Sequence, residues 1–145
     1  NSYCFFRYIK NFGNIIYLSV EGENLIVATN SKVSTIISGK EFSYAVNVND
    51  ILAKDGKIYV LSLEGEVIML DLLLNELNKK KFPFATLNSI IISDYIYTLE
   101  SQGFLIKINP QDFSDEIYKI DIDEYKNSFY TGDIIYYDNR AIKVK

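Results

Sequence analysis

Histidine is absent from the 145 residues of this chain, and Cys4 is its only cysteine. Ser-His-Asp and Cys-His catalysis both need an imidazole base, and histidine is the commonest protein ligand of transition metals, so the sequence excludes these kinds of site. One cysteine can form neither a disulfide within the chain nor a zinc site built from several thiolates. Chemistry based on carboxylates or lysine remains open from residue types alone.

Carboxylates are concentrated between residues 112 and 124. The group consists of Asp112, Asp115, Glu116, Asp121, Asp123 and Glu124. A β-strand would place Asp121 and Asp123 on one face, and carboxylate oxygens suit Ca²⁺. The spacing of an EF-hand loop is absent, however, and charges on an outer strand also discourage pairing between sheet edges. We therefore predict a solvated outer strand here, with no metal and no cofactor bound to the chain.

The charge pattern gives no indication of nucleic-acid or membrane binding. The net charge is −4, and the only basic run is Lys79, Lys80 and Lys81, which we interpret as a solvated turn. No stretch of 18 consecutive apolar residues is present, so we predict no membrane-spanning segment.

An internal repeat of about 38 residues organises the chain. Two independent landmarks carry this period. The first is an asparagine that precedes each copy, at Asn14, Asn49, Asn88 and Asn127, with separations of 35, 39 and 39 residues. The second is an apolar residue near the start of a second strand, at Leu25, Ile58, Ile96 and Ile134, with separations of 33, 38 and 38 residues.

Each copy has the pattern of four short strands. Turn residues separate the strands, as at Asp55-Gly56 and Glu64-Gly65. Along the second strand of the second copy, Ile58 and Val60 alternate with Tyr59, Leu61 and Leu63, so both faces are apolar and should be covered. The fourth strand of each copy reads as half exposed. The one helix candidate is the segment LDLLLNEL at 70–77.

This organisation predicts an all-β fold, a β-propeller or part of one, with about four antiparallel four-stranded blades. We expect a single domain over residues 1–145. The expected blades are about 14–48, 49–87, 88–126 and 127–145, with residues 1–13 forming a strand that completes a neighbouring blade. Ring closure within one chain, closure between two chains as a homodimer, and membership of a longer propeller are three alternatives at this point.

Two segments of the repeat, DGKIYVLSLEGEVIMLDL at 55–72 and SDYIYTLESQGFLIKINP at 93–110, resemble the repeat unit of the PQQ-like (quinoprotein-like) propellers. Enzymes of that family hold a quinone cofactor, and their repeats carry a tryptophan docking motif that this chain lacks. Non-catalytic members are scaffolds that bind other proteins. The resemblance therefore implies a propeller scaffold rather than a dehydrogenase. The Gly-His and Trp-Asp signatures of WD40 repeats are absent.

We therefore predict a non-enzymatic scaffold for protein–protein interaction in the periplasm or cell envelope, with the cytoplasm as the alternative location. Its candidate partner-binding residues are Asn49, Asn88 and Asn127, which would surround the mouth of the central channel, although asparagine is also a common turn residue. Two alternatives from other classes are a metal- or cofactor-dependent propeller enzyme domain and a propeller that binds a carbohydrate or another small ligand.

Overall fold

The computed structural model describes residues 12–82, 89–92, 95–100, 104–119, 128–131, 134–137 and 140–143. These residues form β-strands joined by turns, and no helix among them could cross a membrane. The first sheet contains β1 (Tyr17–Glu21), β2 (Asn24–Ala28), β3 (Lys32–Ile37) and β4 (Lys40–Ala45). The second contains β5 (Val48–Lys54), β6 (Lys57–Ser62), β7 (Glu66–Asp71) and β8 (Glu76–Lys81).

The later sheets repeat this plan. The third contains β9 (Ser89–Ile92), β10 (Ile96–Glu100), β11 (Phe104–Ile108) and β12 (Asp115–Lys119). The fourth contains β13 (Ser128–Thr131), β14 (Ile134–Tyr137) and β15 (Arg140–Lys143). In every sheet consecutive strands pair antiparallel in chain order, and three of the four sheets contain four described strands, which confirms the predicted all-β class and its four-stranded units.

In the first three sheets the first strand is the inner strand, since β5 contacts both β1 and β9. This arrangement defines two sides of the molecule. The link side carries the connections between sheets, such as 46–47, and the turns between second and third strands, at 29–31 and 63–65. The turn side carries the turns between first and second strands and those between third and fourth strands, such as 55–56 and 72–75.

Tight turns set the strand register, one of them at the predicted position Asp55-Gly56. Asp55 and Gly56 both have positive φ, 51° and 75°, as a type I′ hairpin turn requires. A second turn of this kind joins β3 to β4 at Ser38 and Gly39, with φ of 51° and 77°. Because the twist of this turn matches that of the strands, it fixes which residues of the two strands face each other.

Two hydrophobic cores lie on opposite faces of the second sheet. Ile58, Val60, Ile68 and Leu70 belong to the core shared with the first sheet. Tyr59, Leu61, Val67 and Met69 belong to the core shared with the third sheet. The prediction that the second strand is covered on both faces is confirmed for Ile58 through Leu61. It is wrong for Leu63, which lies in the turn after β6 and is 48% exposed.

The helix predicted at 70–77 does not form. The chain leaves β7 at Asp71, turns and enters β8 at Glu76. One Asp71 carboxylate oxygen accepts hydrogen bonds from the backbone N–H groups of Leu73 and Asn75, at 2.9 and 2.8 Å. These bonds satisfy the donors that a helix would have used, so the short apolar run is held as a turn.

The same kind of turn recurs 38 residues later, from Asn109 to Ser114. There the Asn109 side chain accepts a hydrogen bond from the Gln111 N–H at 2.9 Å. Each turn carries one apolar residue with positive φ, Leu74 at 64° and Phe113 at 55°. Both side chains are buried, 7% and 3% exposed, so burial in the cores offsets an unfavourable backbone conformation.

The outer strands β8 and β12 are largely exposed to solvent, as predicted. The lysine run is not a turn, however, because Lys79, Lys80 and Lys81 form the end of β8. In that strand Lys79 and Lys81 are exposed while Lys80 is half buried. Charged residues on an outer strand discourage pairing with the sheet of another molecule.

Candidate functional site

Asn49 is the one predicted site residue that lies among the described residues, whereas Asn88 and Asn127 lie outside them. Asn49 is half buried at the start of inner strand β5, on the link side. It occupies a β-bulge, because Val48 pairs with Ser62 and Asp50 pairs with Leu61. Its side-chain Nδ2 is buried without a hydrogen-bond partner among the described residues. An unpaired buried amide of this kind is uncommon in folded proteins.

Hydrogen bonds tie each described connection on the link side to a neighbouring turn. The Val48 N–H donates to the Asn30 carbonyl at 2.9 Å, and the Leu63 N–H donates to the Asn47 carbonyl at 2.9 Å. The Phe82 N–H donates in the same way to the Gly65 carbonyl at 3.0 Å. The link side is therefore held by backbone bonds between consecutive segments, which limits its internal motion.

The Asn47 side chain adds a further contact on this side, since its Nδ2 donates to Glu64 Oε1 at 2.7 Å. This hydrogen bond is the main reason that the pKa of Glu64 is lowered, because it favours the charged carboxylate. Next to Glu64, the Leu63 side chain is exposed to 48%, and Ile15, which precedes β1 on the same side, is also exposed to 48%. The link side thus combines exposed aliphatic groups with amides and an ionised carboxylate.

The turn side has a different chemistry. A depression of about 350 Å³ lies between the second and third sheets, lined by Lys54, Asp55, Lys57, Tyr59, Met69, Pro110 and Gln111. Burial, with a smaller contribution from Asp55, raises the pKa of the Tyr59 phenol, so this group stays protonated at neutral pH. The sequence did not predict this depression, because Pro110 and Gln111 reach it from a turn of another sheet.

Contacts between outer strands join neighbouring sheets at the rim. Lys80 Nζ pairs with the Asp115 carboxylate and also donates to the Phe113 carbonyl at 3.0 Å. Between the first and second sheets, the Tyr44 hydroxyl donates to Glu76 Oε1 at 2.8 Å. The sequence analysis missed both contacts, although Lys80 and Asp115 have opposite charges and are separated by nearly one repeat period.

The carboxylate group at 112–124 is only partly described. Asp115 pairs with Lys80, and Asp112 accepts hydrogen bonds from the N–H and hydroxyl of Ser114, which lower its pKa. Asp121, Asp123 and Glu124 lie outside the described residues. Within the part of the chain that the structure describes, no three acidic or cysteine side chains are placed to hold a metal ion.

Solved structures of low sequence identity share the fold. The computationally designed Ika4 protein superposes with a TM-score of 0.74 at 10% identity, covering 94% of each chain. The WD40 domain of Neurospora crassa Pan2 has a TM-score of 0.67 at 11% identity, covering 89% of this chain and 46% of the other. Hsv2 of Kluyvelomyces marxianus has a TM-score of 0.72 at 12% identity, covering 89% and 45%.

This chain has the β-propeller fold, as a propeller or as part of one. No protein-family model matches its sequence, so its place in the PQQ-like family stays a prediction. The chain is 38% identical over 141 residues to the Plasminogen-binding protein PgbB of Helicobacter pylori strain J99. It is 36% identical over the same length to PgbB of H. pylori strain 26695. Each alignment covers 89% of this propeller but only 26% of the relative, so the chain spans about a quarter of the curated relatives it matches.

Proposed function

We propose that this propeller is a non-enzymatic protein-binding domain and that plasminogen is its first candidate partner. The observation that carries the proposal is the 38% identity to a plasminogen-binding protein along 89% of the chain. Because the relative is much longer, its binding activity could also reside in the rest of its sequence. We therefore propose that the propeller contributes to plasminogen binding, and this contribution has to be measured on the 145-residue chain alone.

The geometry supports the link side as the binding surface. Protein-binding surfaces combine a well-packed apolar centre with polar groups at the rim. Ile15 and Leu63 supply exposed aliphatic area, while Asn47, Asn49 and Glu64 supply amide and carboxylate groups. The backbone bonds from the connections to the turns keep this surface ordered before a partner arrives, which reduces the entropic cost of binding.

A location outside the cytoplasm, at the cell surface or in the envelope, is part of the same proposal. Plasminogen, for whose binding the relatives are named, would have to meet the domain there. Location can be tested separately from binding by protease accessibility on intact cells that make the native protein. Protection of the propeller both in intact cells and in cells whose outer envelope layers have been removed, with cleavage only after the cytoplasmic membrane is lysed, would contradict this part of the proposal.

The experiment is a binding measurement by biolayer interferometry with immobilised plasminogen and, as the reference surface, albumin. We expect the 145-residue chain to bind plasminogen at least about tenfold more tightly than albumin. On the link side, Leu63→Asp should weaken plasminogen binding by about tenfold or more, since it places a charge in the apolar centre of the interface. The matched control is Leu73→Asp on the turn side, where the leucine is 49% exposed, and its affinity should stay within about twofold of the wild type.

The possible results test separately whether plasminogen is the partner and whether the link side is the binding surface. Equal binding to plasminogen and albumin would refute the assignment of plasminogen. Specific binding that is weakened by Leu73→Asp and unaffected by Leu63→Asp would retain plasminogen and refute the link side. Circular dichroism of both variants should match the wild type, because both leucines lie in exposed turns.

A further inference from the structure

Two lysines face each other across the hairpin of β5 and β6, beside the depression on the turn side. Lys54 and Lys57 are partners in the antiparallel register, so their side chains leave the same face of the second sheet. Like charges directly opposite each other on neighbouring strands are destabilising. Both side chains line the depression, whose volume of about 350 Å³ lies within the range of small-ligand sites. The hairpin therefore places two positive charges at a concave part of the surface.

Comparison with the first sheet shows that the fold does not require these lysines. There the last pair before the turn between first and second strands consists of Glu21 and Asn24. In the second sheet the last pair before that turn consists of Lys54 and Lys57. A carboxylate and an amide thus serve the same hairpin position, so the two facing lysines are a property of the second sheet rather than of the hairpin.

The charges near Lys57 leave it available to a ligand. Asp55 contributes the one carboxylate that lines the depression, against the two lysines. Lys57 faces Asp71 in the register of β6 and β7, but the Asp71 carboxylate accepts hydrogen bonds from the turn at 72–75. Lys57 is exposed and forms no ion pair within the part of the chain that the structure describes.

Tyr59 adds a hydrogen-bond donor to the same depression. Its side chain is 6% exposed and belongs to the core between the second and third sheets, yet its hydroxyl bonds to none of the described residues. A buried tyrosine hydroxyl usually has a partner. Because burial raises the pKa of this phenol, the hydroxyl keeps its proton and can donate. Met69, also 6% exposed, and Pro110 provide apolar surface beside it.

We infer that this depression binds a small organic carboxylate with an apolar body. The carboxylate would lie between Lys54 and Lys57 and accept a hydrogen bond from the Tyr59 hydroxyl, since its two oxygens can accept several bonds at once. The apolar body would lie against Met69 and Pro110. A bound anion would also relieve the repulsion between the two lysines, whereas an organic cation would increase it. The site lies on the turn side, apart from the surface proposed for protein binding.

The test is isothermal titration calorimetry of the 145-residue chain with phenylacetate. Phenylacetamide has the same shape without the charge, and phenethylammonium has the opposite charge. We expect phenylacetate to bind with a Kd of about 1 mM or tighter, as a ligand of this size allows. Its affinity should exceed that of phenylacetamide by about tenfold or more, because its hydrogen bonds involve charged groups. Phenethylammonium should not bind.

Substitutions at the depression should change the affinity for phenylacetate in both directions. Lys57→Gln should weaken binding by about fivefold or more, and Tyr59→Phe by about threefold or more. Asp55→Asn should strengthen it by about twofold or more, since it removes a like charge while asparagine retains the positive φ that the turn needs. The matched control is Lys81→Gln, at an exposed lysine of outer strand β8, which should leave the affinity unchanged.

No binding of phenylacetate at millimolar concentration would overturn the inference. Equal affinity for phenylacetate and phenylacetamide, or tighter binding of phenethylammonium, would overturn it as well. So would an affinity that Lys57→Gln leaves unchanged, because the ligand would then lie elsewhere. If Tyr59→Phe failed to fold, Lys57→Gln and Asp55→Asn would still decide, since both replace exposed residues. Plasminogen binding is measured on the link side, so either result there is compatible with this site.

Discussion

At the residue scale, Lys79 and Lys80 are neighbours on one outer strand and have very different surroundings. Lys79 Nζ lies 3.4 Å from Glu66 and 3.9 Å from Glu76, with 39% of its side chain exposed. Lys80 pairs with Asp115, donates to the Phe113 carbonyl and lies 5.6 Å from the centroid of the Phe82 ring. Its removal would leave a carboxylate and a carbonyl of the next sheet without their donor.

We predict that Lys80→Met lowers the free energy of unfolding by about 1–2 kcal/mol, because the lost hydrogen bonds involve a charged group in a partly buried setting. Lys79→Met is the matched control, and its effect should stay within about 0.5 kcal/mol, as is usual for exposed ion pairs. Urea unfolding followed by circular dichroism measures both. Equal effects of the two substitutions would show that the contact between sheets adds nothing beyond an ordinary surface ion pair.

The second rim contact, between Tyr44 and Glu76, can be tested by the pH dependence of tyrosine ionisation. Burial, followed by the hydrogen bond to Glu76, raises the pKa of the Tyr44 phenol to about 12 from its usual 10.0. The folded state therefore retains this proton at a pH where the unfolded state loses it. Its contribution to stability should be complete below about pH 10 and should be lost as the pH rises towards about 12.

Ultraviolet titration of tyrosinate ionisation in wild type and Glu76→Gln measures this shift. We expect the Tyr44 transition to move to lower pH in Glu76→Gln, because the negative charge that opposes ionisation is gone. The shift should be partial, since burial is the larger cause. Tyr44→Phe identifies which transition belongs to this residue. An unchanged transition in Glu76→Gln would show that Glu76 does not act on Tyr44 in solution.

Residue-level features were predictable only where they follow from the repeat. Asn49 was identified from its recurrence, and it does lie on the link side at the start of an inner strand. The partners of Lys80 and Tyr44 could not be read from the sequence, because each contact joins two different sheets. The pairing of such side chains depends on how the sheets are positioned in space, whereas sequence periodicity reports only which residues share a face.

At the element scale, the turn at 72–75 contains a position where glycine should be less destabilising than alanine. Leu74 has φ of 64°, a conformation that costs a residue with a Cβ about 1–2 kcal/mol and costs glycine almost nothing. Both Leu74→Ala and Leu74→Gly lose the buried side chain, but only glycine relieves the backbone. We therefore expect Leu74→Gly to be more stable than Leu74→Ala by about 1 kcal/mol.

Leu70 supplies the control, because it is fully buried in β7 with ordinary strand geometry. There the order should reverse, with Leu70→Gly less stable than Leu70→Ala by about 0.5–1 kcal/mol, because glycine weakens a strand. Chemical unfolding of the four variants gives both differences. The same order at both positions would show that the left-handed conformation of Leu74 is not maintained in solution.

The elements were largely predictable, and the exceptions have physical reasons. The position of the turn at Asp55-Gly56 was identified correctly, because tight turns between strands need residues that tolerate positive φ. The run at 70–77 was mistaken for a helix because apolar spacing in a short segment does not distinguish a helix from a turn between strands. The decisive group is the Asp71 carboxylate, which accepts hydrogen bonds from the backbone beyond the strand.

At the scale of the whole molecule, the second sheet connects two cores. Adjacent residues of one strand, such as Val60 and Leu61, belong to different cores. Opening the second sheet would therefore expose apolar surface on both faces, whereas inner strand β1 already has one uncovered face. We predict that amide protons of β6 and β7 exchange with solvent at least about 100-fold more slowly than those of β1.

Hydrogen–deuterium exchange followed by mass spectrometry measures this order, and peptides from exposed turns such as 72–75 provide the fast reference. Equal amide exchange rates in β1, β6 and β7 would contradict the prediction that β1 opens more easily than the second sheet.

The architecture was predictable because a sequence repeat implies a structural repeat, and strands with two apolar faces imply stacked sheets. Ring closure was not, because it depends on one interface that need not resemble the others. Of the strand predicted at residues 1–13, residues 1–11 lie outside the described residues, while Phe12 and Gly13 are described and belong to no strand. The strand therefore stays a prediction, as do the expected blade boundaries.

The double burial of the second sheet also bears on how the sequence can change over time. A substitution at Val60 or Leu61 alters the packing of one core. Because these two neighbours belong to different cores, a change of volume at one of them cannot be compensated by a second substitution at the other. The exposed residues of turns and outer strands have no such constraint. Among homologues, substitutions should therefore accumulate most slowly in β6 and β7 and fastest at the rim, and new binding specificities would arise on the loops without loss of the fold.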